Sequence, residues 1–463
     1  MLNLNPSQVN NLPEEEQKRL QKLIDVYRAH YGKNLEKEKY YEGKITLNDV
    51  NLGLALPDGV SRLEIGCAWG AKTVDVLAAL SMFDGFVGVN GDDVLDLERL
   101  VADNNLIGEY MKATRDELKY GCTFATLSAD PQIGCKIRFH SPQTAAALWD
   151  GERGRISCGF AIIDTAKDNI TNQWKPVLIN YYTDDAVWVL RLGDDNIWRA
   201  EYMPHHMHRP LMEAMIWNAT SAKPFGRSRI KEPIRRLIQG YVRTIANATI
   251  GLEFATSPQK YLLGITDEQY DAVINQKFKQ YVGSIIASTV NPETGEKPTF
   301  GQLPQGSITP HVEMVRVLAT QFSAATGLTV ADTGVVNDAN PTSSDAILAQ
   351  SRTLTGMAEQ LNVGNGNALR NIAMMATAIK NNVSLDDLTD DQRAVIAHFK
   401  NPAMPSVAVT ADAAIKIASA RQAFANTDTF LEMIGFSQAD IRRIREQEQR
   451  ARGLALVTEV EEA

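Results

Sequence analysis

Cysteine is scarce in this chain: Cys67, Cys122, Cys135 and Cys158 are the only four in 463 residues, and no two have CxxC spacing. That excludes a paired-cysteine motif and predicts buried free thiols in a reducing compartment. The opening stretch MLNLNPSQVNNLPEEEQKR has no basic segment followed by an apolar one, so it reads as lacking a secretory signal. No apolar run reaches the roughly 18 residues of a membrane helix, which predicts a soluble protein with no membrane partner. Cations are also in deficit, with 47 Lys and Arg against 56 Asp and Glu and a net charge of -9. Tight static DNA binding draws its affinity from Lys and Arg on phosphates, so this balance disfavours it. Contact with DNA that keeps moving stays compatible with an acidic chain. No internal repeat is found, and the last residues, TEVEEA, read as a solvated acidic tail.

Apolar residues make up 44% of the chain and charged residues 22%, ordinary values for a folded protein. The length predicts two to four modules or one elongated subunit. Residues 13–31 read as an amphipathic helix, with Pro13 in the first turn and Leu20, Leu23, Ile24 and Tyr27 at helical spacing. A charged, tyrosine-bearing stretch follows at 36–43. Residues 70–82 and 96–119 read as helices. From about Cys122 to Tyr202, short runs rich in β-branched and aromatic residues alternate with Gly, Pro, Asp and Asn, which predicts an antiparallel β-rich module. After Pro224, the residues Ile234, Leu237, Ile238, Tyr241, Val242 and Ile245 fall on one helical face, with Arg236, Gln239 and Arg243 opposite.

Residues 257–307 are punctuated by Pro and Gly and read as a turn-rich insert with a few strands, SIIASTV among them. Thr309 is the expected N-cap of a helix that has Pro310 at its first position and stops at Gly327. After the loop LTVADTGVVNDANP, Thr342 and Asp345 have capping-box spacing and open a further helix. Gly364-Asn365-Gly366 is expected to break it, with another helix from about 368 to 380. Helices are expected at about 411–425, 427–434 and 437–453, with Gly435 at a C′ position and Ser437 and Asp440 as a capping box.

Three features tempt a chemical reading. Gly66-Cys67-Ala68-Trp69-Gly70-Ala71-Lys72-Thr73 misses the phosphate-loop pattern GxxxxGK[ST] at Ala71, where a Cβ replaces the glycine that frees backbone amides to wrap phosphate. A nucleotide-binding enzyme using Lys72 and Thr73 is therefore the runner-up reading, and the favoured one is a helix start. His205, His206 and His208 form HHMH, but adjacent histidines point apart, so a packing or solvated cluster is expected rather than a metal site. The basic run Arg442, Arg443, Arg445, Arg450 and Arg452 reads as a solvated helix face. No catalytic order of residues stands out, and neither a cofactor nor a metal is expected.

Residues 224–265, PFGRSRIKEPIRRLIQGYVRTIANATIGLEFATSPQKYLLGI, resemble portal proteins of siphophage-type tailed bacteriophages. YYEGK (40–44), GQLPQGSITPHVEMVRVLATQFSAATGL (301–328), NPTSSDAILAQSRTL (340–354) and IGFSQADIRRI (434–444) are similar to further family segments and follow in the expected order. The resemblance covers about 40 to 450, is strongest in 224–361, and is loose in 60–200.

The resemblance implies an α+β fold: a mainly helical portal with long stem and tunnel helices, a β-rich wing and a helical C-terminal crown. It assigns 1–223 to the wing, 224–256 to the stem helix, 257–308 to the clip and 309–328 to the stem return helix. Residues 329–344 would be the tunnel loop, 345–381 the tunnel helix and a following helix, and 382–463 the wing return and crown. It implies a ring of about twelve copies, closed by heterologous contacts, at one capsid vertex. Double-stranded DNA would pass through it without sequence readout during packaging and ejection. Other implied partners are the terminase large subunit, a head–tail adaptor, and the major capsid and scaffolding proteins. The protein would be assembled in the host cytoplasm and reside in the virion. Val336, Asn337, Asp338, Asn340 and Ser343 would line the DNA channel, and Thr289, Asn291, Glu293 and Lys297 of the clip would meet the motor and adaptor. Another virion structural protein is the remaining alternative. One feature of the residues themselves agrees with a sliding channel: no Lys or Arg stands between Arg316 and Arg352, while Asp332, Asp338 and Asp345 do.

Overall fold

The computed structural model describes residues 2, 4–46, 49, 64–88, 97–167, 172–256, 260–263, 295, 299–302, 307–335, 344–403, 407–436, 440–441 and 443–451. Helix α1, Glu14–Tyr41, carries three glutamates in its first turn, where the helix dipole favours them, and buries Leu20, Leu23, Ile24 and Tyr27. It runs on through 36–41, beyond the end expected near 31. Tertiary contacts hold the extension: Lys37 Nζ donates to the Tyr120 carbonyl at 2.9 Å, and Tyr40 is buried.

Helix α2 (Trp69–Leu80) leads into strand β1 (Phe83–Val87). The helix expected over 96–119 is two helices, α3 (Leu97–Asp103) and α4 (Leu106–Tyr120). Asn104 causes the break. Its side chain donates to the Cys135 carbonyl at 3.0 Å and accepts from the Ile137 amide at 2.9 Å, and Asn105 takes a left-handed φ of 47°.

The β-rich expectation for 122–202 holds. Strands β2 (Cys122–Asp130), β3 (Gly134–His140) and β9 (Met212–Ile216) form a three-stranded sheet in the order β3-β2-β9. Strands β4 (Ala145–Asp150), β5 (Arg155–Lys167), β6 (Trp174–Tyr182), β7 (Ala186–Leu192) and β8 (Trp198–Pro204) form an antiparallel meander. One face of this meander buries Phe160, Ile179, Tyr181 and Leu190 against α1 and the N-terminal residues Leu2, Leu4, Val9 and Leu12. All four cysteines are free and buried, and burial pushes each thiol up, Cys122 and Cys135 to about 12.

Helix α5 (Glu232–Thr256) buries Ile234, Ile238, Val242 and Ala246 on the face that the apolar spacing picked out. It packs along α6 (Thr309–Thr326), and at the crossing Leu318 Cδ2 lies 3.2 Å from where a Cβ on Gly240 would stand. Of the opposite face, Arg236 is exposed and Gln239 donates to the Tyr40 hydroxyl. Between the two helices, β10 (Lys260–Leu263) and β11 (Thr299–Gln302) pair antiparallel and bring the two ends of the insert together. SIIASTV lies outside the described residues. Thr309 is the first residue of α6, one position later than expected; its amide donates to Ser307 Oγ at 3.2 Å. Gly327 ends the helix at φ 76°, a conformation that favours glycine.

Helix α7, Ser344–Asn381, is unbroken, so the break expected at Gly364-Asn365-Gly366 and the separate helix after it do not occur. Asn365 is fully buried and hydrogen-bonded to α4, which overrides the poor helix propensity of its two neighbours. Thr342, the expected cap, lies outside the described residues, as does Ser437. A short helix α8 (Asp390–Arg393) precedes strand β12 (Ile396–Phe399), which pairs antiparallel with β1 and so returns the chain to the N-terminal module. Helices α9 (Val407–Ala420) and α10 (Asp428–Ile434) follow, the second ending at Gly435 with φ 108° as expected. Helical residues at 440–441 and 443–451 complete the described chain.

Candidate functional site

Described parts of four of the five segments quoted for the family resemblance, 40–44, 224–265, 301–328 and 340–354, meet at one junction, where the N-terminal module meets the helix pair α5 and α6. Arg229 stands at its centre, buried and without a carboxylate partner among the described residues. Its Nε donates to the Thr73 carbonyl of α2 at 2.7 Å, and its Nη2 donates to the Thr326 carbonyl at the end of α6 at 2.8 Å. Its Nη1 lies 3.2 Å from Met357 Sδ of α7, and the guanidinium sits 5.9 Å from the centroid of the Trp217 ring. Burial lowers its pKa to about 10, still far above neutrality, so the group stays charged. Carbonyl oxygens satisfy the planar fork, and the positive charge lies at the negative end of α6.

The residues around Arg229 each hold the crossing from sheet to helix. Phe225 packs edge-on against Phe124 and Trp149, with ring centroids 5.9 and 5.6 Å away. A Cβ on Gly226 would stand 2.1 Å from the Trp217 carbonyl, so only glycine fits there. The Ser228 hydroxyl donates to the Lys119 carbonyl at 2.5 Å and accepts from the Ile230 amide at 2.9 Å. The Phe-Gly-Arg-Ser-Arg-Ile run is thus a fixed strap from the three-stranded sheet to α5.

Trp69 supplies the apolar half of the junction. Its ring stacks on Phe322 of α6 at 4.7 Å and tilts against Tyr241 of α5 at 4.5 Å, while its Nε1 donates to the Thr333 carbonyl at 3.1 Å. A Cβ on Gly70 would stand 2.0 Å from the Tyr40 carbonyl, so this glycine serves the approach of α1 to α2. Tyr41 donates to Asp75 at 2.9 Å. The near-phosphate-loop is therefore spent on packing. Thr73 is buried with its hydroxyl on the Trp69 carbonyl at 2.8 Å, and Lys72 points to solvent.

The other sequence features fall elsewhere. His205 is half-buried, His206 and His208 are exposed, and no group of His, Cys, Asp and Glu that could hold a metal occurs among the described residues. In the basic run, Arg445 pairs with Asp428 at 2.6 Å and with Glu448 at 2.9 Å, and Arg450 with Glu446 at 3.8 Å. Of the loop assigned to 329–344, the described part, 329–335, is docked on the junction. Thr329 and Asp332 cap a short turn, with the Thr329 amide 2.9 Å from Asp332 Oδ2, and Val335 packs on the Trp69 core. Val336, Asn337, Asp338, Asn340 and Ser343 lie outside the described residues, as do Thr289, Asn291, Glu293 and Lys297. Sequence reasoning missed Arg229 and Trp69 as junction residues. The only signal was their place inside quoted motifs, which says nothing about burial.

A family model described as "Phage portal protein, SPP1 Gp6-like" matches residues 20–453. The portal protein of Mycobacterium phage D29 is 23% identical over 420 residues, covering 88% of this chain and 84% of that one. Among solved structures, a chain of the neck of a native gene transfer agent particle, computed with C12 symmetry, has a TM-score of 0.47 at 12% identity, over 80% of this chain and 90% of that one. A chain from the neck of an empty particle, computed with C6 symmetry, has a TM-score of 0.46 at 12% identity, over 77% and 87%. Since the family model spans nearly the whole length, from α1 to the last described helix, the chain belongs to the SPP1 Gp6-like family of phage portal proteins.

Proposed function

We propose that this portal protein closes into a ring of about twelve copies, with heterologous contacts between neighbours, and that double-stranded DNA moves through the ring during packaging and ejection. The observation that carries the reading is the junction itself. Helix pair, long helix and sheet module are locked together by Arg229 and Trp69, which supports a stiff body for each copy. Residues 1–223 with the β12 return serve as the wing, α5 and α6 as the stem, and the 257–308 insert as the clip. The paired strands β10 and β11 close the base of that insert, a geometry suited to a docking element. On this reading Thr289, Asn291, Glu293 and Lys297 meet the terminase large subunit and then the head–tail adaptor, while the capsid and scaffolding proteins contact the outer wing. Assembly takes place in the host cytoplasm.

Val336, Asn337, Asp338, Asn340 and Ser343 face the duplex at the narrowest part of the channel. The stretch between Arg316 and Arg352 offers phosphates no cation, so DNA finds no deep binding state and slides. The test is to add cations. Asp338→Lys and Asn340→Lys are expected to leave folding and ring formation intact and to slow packaging, more at low salt than at high, because each lysine that pairs with a phosphate releases counterions. Unchanged packaging rates at low salt with lysine at both positions would remove this segment from the channel.

A further inference from the structure

Buried at the middle of α7 is a carboxyl group that neither the junction nor the channel uses. Glu117 of α4 and Asn365 of α7 are both 0% exposed. Asn365 Nδ2 donates to Glu117 Oε2 at 2.8 Å and to the Tyr110 hydroxyl at 3.0 Å, which uses both protons of the amide. Tyr110 and Ser81 share a 2.6 Å bond, and Ser81 Oγ donates to Asn362 Oδ1 at 2.6 Å. Serine has a single hydroxyl proton and it goes to Asn362, so Tyr110 is the donor to Ser81. The protons therefore run in one direction, from Asn365 through Tyr110 and Ser81 back to Asn362 one turn away on the same helix.

One place in this network lacks a proton. Glu117 Oε1 and Asn365 Oδ1 are both buried, both acceptors, and neither has a donor among the described residues. An ionised Glu117 would leave two bare acceptors and an unpaired charge inside the protein, a costly arrangement. A single proton on Oε1 would make it a donor, and the Nδ2–Oε2 bond already holds the two side chains together, as the second bond of an acid–amide pair requires.

Among the described residues, nothing around the site supplies a compensating cation. On α4 itself, Tyr110 faces the carboxyl, Asp116 pairs with Lys119 at 3.4 Å, and Arg115 lies 3.6 Å from Asp75 of α2. From β2 the group that faces it is the Cys122 thiol. From α1, Lys37 is engaged with Asn34 and the Tyr120 carbonyl, and Glu38 with Lys119. On α7, Arg370 donates to the Arg393 carbonyl, and Arg229 is spent on Thr73 and Thr326. Burial pushes the Glu117 carboxyl up to about 8, and the Asn365 hydrogen bond lowers it only in part.

We propose that Glu117 keeps its proton in the native protein at neutral pH and donates it to Asn365 Oδ1, so that a neutral acid–amide pair pins the long helix to the wing and loss of that proton loosens the seat. The pin sits where the helix is weakest, between Gly364 and Gly366, and it is independent of how the ring is built. Linkage fixes the sign. When the seat opens, Glu117 reaches water and releases its proton at ordinary carboxylate pH. The closed seat therefore binds more protons than the open one, and opening becomes easier as pH rises through the neutral range. Once the closed form ionises as well, near pH 8, the dependence levels off.

Hydrogen exchange of the α7 amides around 361–369 in the full chain, corrected for intrinsic rates, tests this. Protection is expected to fall about tenfold per pH unit between pH 6 and 7.5 and to level above about 8. Glu117→Gln, which keeps an N–H where the acid has its proton, is expected to hold wild-type protection at pH 6 and to show no such slope. A flat wild-type profile would overturn the proposal without any variant. So would the same slope in Glu117→Gln, or failure of that variant to fold, because the neutral isostere is meant to resemble the native form.

Discussion

The two halves of α7 are built on different principles. From 354 to 361 the helix lays one apolar edge, Leu354, Ala358 and Leu361, on the cluster that α2 shares with α5 and α6, with Met357 against Arg229. Its other side, Arg352, Gly356, Glu359 and Gln360, is exposed. From 365 to 378 it is sunk among α4 and the three-stranded sheet. Ala368, Leu369, Ile372, Ala373, Met375, Ala376 and Ala378 are all buried, and Asn365 wires it to α4. One half is laid on a surface and the other is part of a core. The C-terminal half of α7 is therefore seated in the sheet-bearing module, and α5 and α6 are joined to that module by contacts at Trp69, Phe322 and Arg229.

Breaking the α5–α6 side should therefore leave the sheet module standing. Phe322→Ala removes the ring that stacks on Trp69 and should cost about 3–5 kcal/mol. Denaturant unfolding followed by hydrogen exchange is expected to show lost protection in α5 and α6 with retained protection in 106–120. Equal loss in both regions would mean that stem and wing are one cooperative unit.

Arg229→Lys sharpens the same comparison by removing geometry and keeping charge. A lysine cannot fork to the Thr73 and Thr326 carbonyls together, so one buried acceptor loses its donor, at about 1–3 kcal/mol. The expected loss sits in the stem, read as a lower melting temperature with unchanged exchange in the wing half of α7. An unchanged melting temperature would show that the fork contributes nothing.

Part of this was legible in the sequence. The β-rich texture of 122–202, the buried thiols, the apolar face of α5 and the stop at Gly327 follow from local chemistry, and all are found. The continuity of α7 was not legible. Glycine lowers helix propensity wherever it stands, and only the tertiary bonds of Asn365 with Tyr110 and Glu117 override it. The split at Asn104 and the extension of α1 to Tyr41 have the same origin, in partners distant along the chain. The junction was legible only as motifs, since a buried arginine held by carbonyls has no spacing that marks it. The residues expected in the channel and the clip fall outside the described chain, so they stand on the resemblance and on the absence of cations between Arg316 and Arg352.

The smallest effect concerns the glycines themselves. A Cβ on Gly364 would have the Ile216 carbonyl at 3.9 Å as its nearest neighbour, an ordinary contact. Gly364→Ala should therefore stabilise the chain by up to about 1 kcal/mol through helix propensity. Destabilisation in a thermal melt would show that the helix must yield at this point, contrary to the picture of a pinned seat.

The central claim, a stiff portal subunit that closes into a channel, is tested most directly by electron microscopy of the purified full chain. Closed rings of about twelve copies with an open central channel are expected, each copy carrying its sheet module on the outside and the α5–α6 pair nearer the axis. A stable monomer under all salt conditions, or a two-fold dimer without a channel, would contradict it.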